Sequence, residues 1–409
     1  MDVENRRPNL KPLSSLMRLL YIAHRIPYPP NKGDKIRSYN ELLFLSKHFE
    51  VDLVCFLGSA KDKIYLPKLQ AICRTASVFE RGPIFQAFRI MCGFLQRRPL
   101  SVSLYDSSAM RKRVLQLIAE NKYHRIFVFS GQMAQYIPKD NVPITVIDFC
   151  DVDSYKWDNY ADSLPFYFSW FYRLEARRLL AFEIAAAKDA QAAVFITPAE
   201  LKIFRDLNGQ GNLLSIGIGV DATFFVPREE KPIEGRILFT GAMDYFPNEE
   251  GVTWFVREVF QPLREKFPKA HFVIAGSNPT QKVKSLARID GVTVTGFVED
   301  MRLEQAKAYV VVVPLRIARG MQNKVLEAMA CGKAVVVSRK AMGGIHAKEG
   351  AELFVADSAE EFRQCLEKLL GDKCGVELMG KLAREYVLTN LSWQTILSNG
   401  LLPLVTNSL

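Results

Sequence analysis

The sequence lacks three patterns that would each define a class of protein. No run of 18 apolar residues is free of charge, so no transmembrane helix is expected. None of the seven cysteines forms a C-x-x-C pair, so neither a disulfide framework nor a zinc site is predicted. Residues 1–18 are polar and lack the apolar core of a signal peptide. We therefore expect a flexible tail over residues 1–18 and a cytoplasmic protein.

Length and composition favour a folded protein with more than one domain. The chain has 409 residues, too many for one ordinary hydrophobic core, and its 49% apolar content is that of a globular protein. Its net charge of +10 suits nucleic acid, an anionic membrane surface or phosphorylated substrates. No nucleic-acid-binding motif accompanies the charge, so nucleic acid is not an expected partner.

One segment has the composition of a membrane-surface helix. Residues 82–104 are rich in Phe, Ile and Leu and carry arginines along one edge. Such a segment suits contact with anionic lipid headgroups, and it equally suits a helix that covers a sheet. The sequence therefore allows a peripheral position on the inner face of the cell membrane.

The first half of the chain has the pattern of a parallel sheet with helices on its faces. Apolar runs at 19–23 and 51–57 flank a segment with helical spacing, which predicts a βαβ unit. Further strands are predicted at 125–130 and 143–149. Ligands of such sheets gather at the carboxyl ends of the strands, so the residues that follow these strands are candidates for a site.

Four candidates follow the first strand. His24 comes directly after it, and Gly33, Asp34 and Arg37 lie beyond a proline-rich loop. Gly33 would allow the backbone to approach a ligand closely. The alternative is an ordinary Pro-Gly loop with solvated charges.

Three aspartates cluster after the strand predicted at 143–149. Asp148, Asp151 and Asp153 lie within six residues, and like charges this close raise one another's pKa and suit acid–base or metal chemistry. Asp151-Val152-Asp153 also fits a D-x-D metal motif. One of the aspartates could instead cap the following helix. All three uses remain open from the sequence.

The second half repeats the same alternation. Strands are predicted at 236–241, 271–276, 292–296, 309–313 and 334–338, and Gly241 ends the first of them. The sequence therefore predicts an α/β fold with two Rossmann-like, doubly wound domains that face a central cleft. The expected limits are 19–212 and 213–390, and residues 391–409 are expected to form a helix that packs back on the first domain.

The segment 314–332 has the features of a diphosphate site. Gly320 lies at a strand-to-helix turn, and a helix that begins near Met321 would direct free N–H groups and its positive dipole end at an anion. Lys324 and Glu327 share one helical face. A diphosphate would bind the amides, Lys324 and Arg316, and Glu327 could accept hydrogen bonds from a ribose diol.

Several of these stretches resemble a known family. FTGAMDYFPNEEGVTWF, HFVIAG, VTVTGFVEDMRLEQAKAYVVVVPL and RGMQNKVLEAMACGKAVVVS resemble glycosyltransferase family 4, retaining enzymes of the GT-B fold that use nucleotide sugars. The stretches PYPPNKGDKIRSYNELLFLSKHFEVDLV and DFCDVDS also resemble bacterial exopolysaccharide sugar transferases associated with protein-sorting (PEP-CTERM) gene clusters.

The resemblance implies a role for individual residues. Glu327 would hold the nucleotide ribose and Lys324 the diphosphate, while Gly33 would lie near the transferred group. The other implied donor contacts are Gly241, Phe297, Val298, Gly320, Met321, Gln322 and Asn323, with Phe297 and Val298 against the base. Arg319 stands where the family has a first glutamate, which implies a donor whose sugar or phosphate suits a cation.

The predicted function is a hexosyltransferase that moves a sugar from a nucleotide diphosphate-sugar to a glycan or polyprenyl-linked acceptor. No cofactor or metal is expected, because cations and a helix N-terminus neutralise the leaving diphosphate. Asp148, Asp151 and Arg319 are the catalytic candidates; His24, Asp34, Arg37 and Asp153 are the acceptor candidates. A nucleotide-sugar 2-epimerase and an inactive nucleotide-sugar-binding subunit are the alternatives.

Overall fold

The chain forms two compact units, each built around its own sheet. The computed structural model describes residues 17–80, 89–93, 95–138, 143–162, 165–318 and 321–406. The first unit extends to Gly217 and resumes at Leu397, and the second unit is Ile218–Ile396. Residues 82–88 and 94 of the segment that suits a membrane surface therefore lie outside the described residues, as do Arg319 and Gly320.

The first unit contains a seven-stranded sheet in which every paired strand is parallel. The strands lie in the order β3-β2-β1-β4-β5-β6-β7. They are β1 Arg18–Ala23, β2 Glu50–Phe56, β3 Thr75–Phe79, β4 Arg125–Phe129, β5 Ile144–Cys150, β6 Ala192–Phe195 and β7 Leu213–Ser215. Their central members are continuous apolar runs because both faces of a parallel sheet are covered.

Helices cover this sheet and close the unit. They are α1 Gly33–Leu45, α2 Leu66–Gln70, α3 Leu100–Ser103, α4 Ser108–Glu120, α5 Asp153–Asp162, α6 Phe166–Asp189 and α7 Pro198–Asp206. Short 3-10 helices occupy Ala60–Tyr65 and Gly131–Tyr136. The core contains Leu20, Ile22, Val54, Ile126 and Val128, all without exposed surface.

The second unit has a six-stranded parallel sheet with the same winding. Its order is β10-β9-β8-β11-β12-β13. The strands are β8 Arg236–Thr240, β9 His271–Ala275, β10 Val292–Gly296, β11 Val310–Val313, β12 Ala334–Val337 and β13 Phe354–Val355. In both sheets the order in which strands are added therefore reverses next to the first strand, between β1 and β4 and between β8 and β11. The predicted α/β class with two doubly wound sheets is confirmed.

The helices of the second unit surround a single large core. They are α8 Phe246–Trp254, α9 Gln261–Lys266, α10 Gln281–Leu286, α11 Met301–Lys307, α12 Asn323–Ala330, α13 Arg339–Met342, α14 Ala359–Gly371 and α15 Lys373–Asn390, with a π-helix at Phe255–Phe260. After α15, the chain returns to the first unit through α16 Trp393–Gly400 and α17 Leu402–Thr406. Within the described residues, no helix is long and apolar enough to cross a bilayer.

Helix α15 reaches the end of α12 by close backbone contact at a glycine. A Cβ atom on Gly380 would overlap the carbonyl oxygen of Gly332, whereas a Cβ on Gly371, the last residue of α14, would meet open space. Glycine at position 380 therefore sets the distance between α15 and the turn after α12.

Alanine substitutions at these two glycines should have opposite effects. Alanine is the better helix former, so Gly371→Ala should leave the free energy of unfolding unchanged or raise it by up to about 1 kcal/mol. Gly380→Ala should lower it by about 1–3 kcal/mol, because the methyl group forces α15 away from Gly332. Thermal unfolding midpoints of the two variants test this, and equal stabilisation by both would contradict the packing argument.

Candidate functional site

A cavity opens in the second unit where the strand order of the sheet reverses. It has a volume of about 350 Å³ and lies at the carboxyl ends of β8 and β9, against the first turn of α12. This is where ligands bind in doubly wound sheets. Its lining residues are Thr240, Gly241, Gly276, Ser277, Phe297, Val298, Met301, Asn323, Lys324 and Glu327.

Two glycines allow the strand ends at this cavity to approach each other. The amide of Gly241 donates to the carbonyl of Ala275, and the amide of Gly276 donates to the carbonyl of Gly296, both at 3.1 Å. Gly276 has a φ of +151°, and a Cβ there would overlap the Gly241 carbonyl. A Cβ on Gly241 would lie 3.0 Å from Lys324 Nζ. Side chains at either position would therefore displace the strand ends or the lysine.

Lys324 holds its ammonium group in a poorly solvated position. Its Nζ donates to Asn248 Oδ1 at 2.6 Å and lies 4.3 Å from the centre of the Phe239 ring. Burial lowers the pKa of Lys324 to about 7, although the Glu327 carboxylate acts in the opposite direction. An anion beside Nζ would favour the charged form, so the lysine can bind a phosphate with uptake of a proton.

Glu327 lies one helical turn further along the same face of α12. Burial raises its pKa to about 7, and the Lys324 charge only partly offsets this. Val325, Leu326 and Met329 are fully buried on the opposite side, as the spacing predicted. The cavity wall thus combines a cation, helix N–H groups at Asn323 and Lys324, and a carboxyl group, which together suit a phosphate next to a diol.

The acidity of Glu327 predicts a pH-dependent stability difference. Because its pKa in the folded protein is about 7 and its ordinary value is 4.5, the stability that this group contributes is full below pH 4.5 and lost as the pH rises through 7. That loss is on the order of 3 kcal/mol. Glu327→Gln cannot ionise, so its thermal unfolding midpoint should exceed that of the wild type by more at pH 7.5 than at pH 5. A constant difference between the two pH values would exclude a buried, ionisable Glu327.

An exposed aromatic ring borders the same cavity. Phe297 is 78% exposed, although Val298 beside it packs against the core. A ring that gains nothing from the core is available to stack on a flat ligand group. Both residues line the cavity together with Lys324 and Glu327, so the structure brings them to one site.

The remaining donor candidates are not all at this cavity. Arg316 pairs with Glu250 at 3.1 Å and lies 5.7 Å from the centre of the Trp254 ring, and it does not line the cavity. Met321 and Gln322 directly precede α12, which begins at Asn323, two residues after Met321. The first turn of α12 lies two residues later than predicted because Gln322 is still extended, with φ −96° and ψ 114°.

In the first unit, the loop after β1 folds back onto the start of α1. His24 Nε2 lies 3.2 Å from Asp34 Oδ2, and Arg25 Nε lies 3.1 Å from the same oxygen. Burial alone would raise the pKa of Asp34, but the His24 hydrogen bond and the Arg25 charge lower it to about 2. Burial lowers the pKa of His24. A Cβ on Gly33 would meet nothing, so the backbone there is accessible.

The aspartates after β5 bind one lysine. Lys156 Nζ lies 2.7 Å from Asp151 and 2.9 Å from Asp153, and Gln132 also donates to Asp153 at 2.5 Å. Within the described part of the chain, no group of three potential metal ligands occurs, so nothing there supports the D-x-D metal alternative.

Glutamates from other helices accept hydrogen bonds from the backbone N–H groups at the start of α5. Glu200 accepts a hydrogen bond from the Val152 amide at 2.8 Å, and Glu183 accepts from the Ser154 amide and hydroxyl. Burial raises the pKa of Glu183 to about 8, although its bonds from Ser154 act against this. These contacts fix the position of the loop that contains Asp151 and Asp153.

Asp148 and Arg37 come together in a buried charge cluster. Arg37 Nε lies 2.5 Å from Asp148 Oδ2 and 3.1 Å from Glu41 Oε1, and all three side chains are at most 3% exposed. Arg37 Nη1 donates to the carbonyls of Ile216 and Gly217 at 2.8 and 3.0 Å. Burial and the charge of Asp148 raise the pKa of Glu41 well above its ordinary value. One arginine is therefore balanced by one carboxylate, Asp148.

Neutral replacements of the two acids should separate their roles. Asp148→Asn leaves a buried Arg37 without its counter-ion, so the free energy of unfolding should fall by about 3–5 kcal/mol. Glu41→Gln exchanges one neutral group for another and should cost no more than about 1 kcal/mol. Chemical denaturation of both variants measures their free energies of unfolding. A larger decrease for Glu41→Gln than for Asp148→Asn would show that Glu41 carries the charge.

Sequence reasoning did not select several residues that the structure brings to these sites. At the cavity of the second unit they are Thr240, Gly276, Ser277 and Met301, and Asn248 is the hydrogen-bond partner of Lys324. Gly276 follows β9 as Gly241 follows β8, which is a repeated signal that was available. Glu41 stands four residues after Arg37 on α1, a spacing at which opposite charges meet.

Comparison with known proteins agrees with this architecture. Residues 234–372 match the family model described as Glycosyl transferases group 1. No curated protein sequence matches the chain. Among solved structures, sucrose-phosphate synthase from Thermosynechococcus elongatus is 17% identical with a TM-score of 0.62, and the alignment covers 94% of this chain and 97% of that one.

Two further structures have the same fold. HepE from Anabaena, solved in complex with UDP, is 13% identical with a TM-score of 0.65, and the alignment covers 94% of this chain and 98% of HepE. TarM is 12% identical with a TM-score of 0.63, at 96% and 99% coverage. The chain thus has the two-domain α/β fold of GT-B glycosyltransferases, and the region matching Glycosyl transferases group 1 lies in its second unit.

Proposed function

We propose that the protein is a retaining glycosyltransferase of family 4. It transfers a hexose from a nucleotide diphosphate-sugar to a glycan or lipid-linked acceptor in bacterial exopolysaccharide synthesis, at the cytoplasmic face of the membrane. The observation that carries the proposal is the pairing of Lys324 and Glu327 on one wall of the donor cavity, at the amino end of α12. Both groups are partly buried, and no other charged residue lines the cavity.

The donor would bind in the second unit through its nucleotide diphosphate. Lys324 and the first N–H groups of α12 neutralise the phosphates, and Glu327 accepts hydrogen bonds from the ribose hydroxyls. Phe297 provides a flat surface for the base. Because burial lowers the pKa of Lys324 to about 7, diphosphate binding draws a proton to it.

Transfer with retention needs no enzyme nucleophile in this scheme. The departing diphosphate helps to remove the proton of the acceptor hydroxyl, and the protein positions the two substrates and stabilises charge. Asp151, Asp153 and the His24–Asp34 pair bind the acceptor. Asp148 and Arg37 do not touch the acceptor, because both side chains are buried and paired with each other.

Arg319 replaces a carboxylate that would otherwise bind sugar hydroxyls. We propose that it binds an anionic or phosphate-linked group of the donor. The likeness to HepE, which has been solved with UDP-glucose, makes uridine nucleotides the first probes.

Uridine diphosphate binding tests the donor site directly. Wild-type protein should gain about 2.7 kcal/mol of stability at 100 times the dissociation constant, measured as a thermal shift. Lys324→Met should abolish most of the shift, because the phosphates lose their cation. Lys284→Met, an exposed lysine on α10, is the matched control and should retain it. Equal shifts for both variants would exclude Lys324 from the donor site.

Product analysis separates transfer from the alternatives. Incubation of UDP-sugars with bacterial glycan and lipid extracts should release UDP only when an acceptor is present. A new nucleotide sugar formed without acceptor would identify an epimerase. Tight UDP-sugar binding without turnover across the extracts would identify a binding subunit.

A further inference from the structure

The side chain of Asn248 joins the loop after β8 to the first turn of α12. Asn248 lies in the first turn of α8 and is only 5% exposed. Its Nδ2 donates to the carbonyl of Ala242 at 2.8 Å, and its Oδ1 accepts a hydrogen bond from Lys324 Nζ at 2.6 Å. A carbonyl can only accept a hydrogen bond, so the nitrogen end of the amide faces Ala242 and the oxygen end faces the lysine.

The surroundings of this amide leave it little room to turn. A Cβ on Gly241 would lie 2.7 Å from Asn248 Nδ2 and 3.0 Å from Lys324 Nζ. Further along α8, a Cβ on Gly251 would lie 2.9 Å from the carbonyl oxygen of Pro314. Glycine at both positions therefore lets α8 and the strand ends pack closely around the hydrogen bond between Asn248 and Lys324.

The acidic residues that follow Asn248 in the chain form contacts elsewhere. Glu249 accepts a hydrogen bond at 2.6 Å from the threonine that precedes α10. Glu250 forms an ion pair with Arg316 at 3.1 Å. The partner that α8 offers to the buried lysine is therefore an uncharged amide and not a carboxylate.

Glu327 is the titratable group that acts on Lys324 within the described part of the chain. It lies on the same helix and only partly offsets the effect of burial on the pKa of Lys324. The other neighbours of Lys324 Nζ, Phe239 on β8 and Gly241, carry no charge. An amide fixes an ammonium group by a hydrogen bond without cancelling its charge, so the lysine keeps its attraction for an anion that enters the cavity.

We infer that Asn248 is a positioning residue for donor binding: it holds Lys324 at the wall of the cavity and keeps the lysine free of a competing carboxylate. The inference rests on the proposed function and makes it more specific, because it assigns part of the affinity for the diphosphate to a residue outside the cavity lining. A carboxylate at position 248 would pair with the lysine and repel the phosphates, and an apolar side chain would release the ammonium group.

Titration calorimetry of the full chain with UDP, GDP and ADP tests the inference. The titrations are run at pH 8 in two buffers of different ionisation enthalpy, which gives both the affinity and the number of protons taken up. Because burial lowers the pKa of Lys324 to about 7, the wild type should take up protons when it binds a nucleoside diphosphate. Asn248→Asp should bind at least about tenfold more weakly and lose most of this uptake, since the new carboxylate keeps the lysine charged beforehand.

Two further variants separate positioning from a general effect of substitution. Asn248→Ala removes the hydrogen bond without adding a charge, so it should bind at least about threefold more weakly and keep the proton uptake. Gln261→Glu adds one negative charge at an exposed position of α9 and should bind like the wild type. Unfolding midpoints without nucleotide show which variants are folded, and the alanine variant decides the affinity test if the aspartate variant is not.

Either of two results would overturn the inference. The first is an affinity of the folded Asn248 variants within about twofold of the Gln261→Glu control. The second is weakened binding by Asn248→Asp with the proton uptake of the wild type, which a merely structural disturbance would produce. Lys324→Met, measured alongside, identifies failure of the proposed function: if it binds as tightly as the wild type, or if the wild type binds no nucleoside diphosphate, the donor site itself is contradicted and the inference with it.

Discussion

Parallel strand pairing is the constraint on which the rest of this structure depends. A parallel sheet needs a crossover after every strand, so each strand ends at the same edge as its neighbours and each connection leaves from that edge. His24 and the aspartates after β5 come to one edge of the first sheet for this reason. Gly241 and Gly276 meet at the corresponding edge of the second sheet. Residues far apart in the chain are therefore collected into sites by topology alone.

The surroundings of Arg37 and of Lys324 differ in how far the protein itself compensates the positive charge. Arg37 is buried with Asp148 and two backbone carbonyls, so the protein itself satisfies most of its hydrogen-bonding capacity. Lys324 has Asn248 and the Phe239 ring, neither of which carries a charge. The Glu327 carboxylate only partly offsets the desolvation of Lys324, so an entering anion would stabilise the charged lysine further. The first arrangement stabilises the fold, and the second gives up stability in favour of ligand binding.

Much of the architecture followed from the sequence because fully buried parallel strands form continuous apolar runs. The predicted strands at 19–23, 236–241 and 292–296 agree with the structure within one residue. β3, β6, β7 and β13 were not predicted. They are short or only partly buried, so their sequences have no strong pattern, and only the pairing with a neighbour makes them strands.

The candidate sites were predictable to the extent that they are local. Lys324 and Glu327 are three residues apart on one helix, so their shared face follows from helical geometry. Arg316 is close to them in sequence, but its pairing with Glu250 depends on where α8 packs, which no local pattern contains. The burial of Asp148 is similar: a strand end looks accessible in sequence until a neighbouring helix contributes an arginine to it.

The hydrogen bonds from Arg37 to the carbonyls of Ile216 and Gly217 connect α1 to the end of the first unit. These two carbonyls belong to the last residues of the first unit before the chain enters the second. The same helix starts at Gly33 and Asp34, where the loop after β1 ends. Gly33 and Arg37 are about one helical turn apart. The first turn of α1 therefore fixes the end of the loop after β1 and the last two residues of the first unit before the second unit at once.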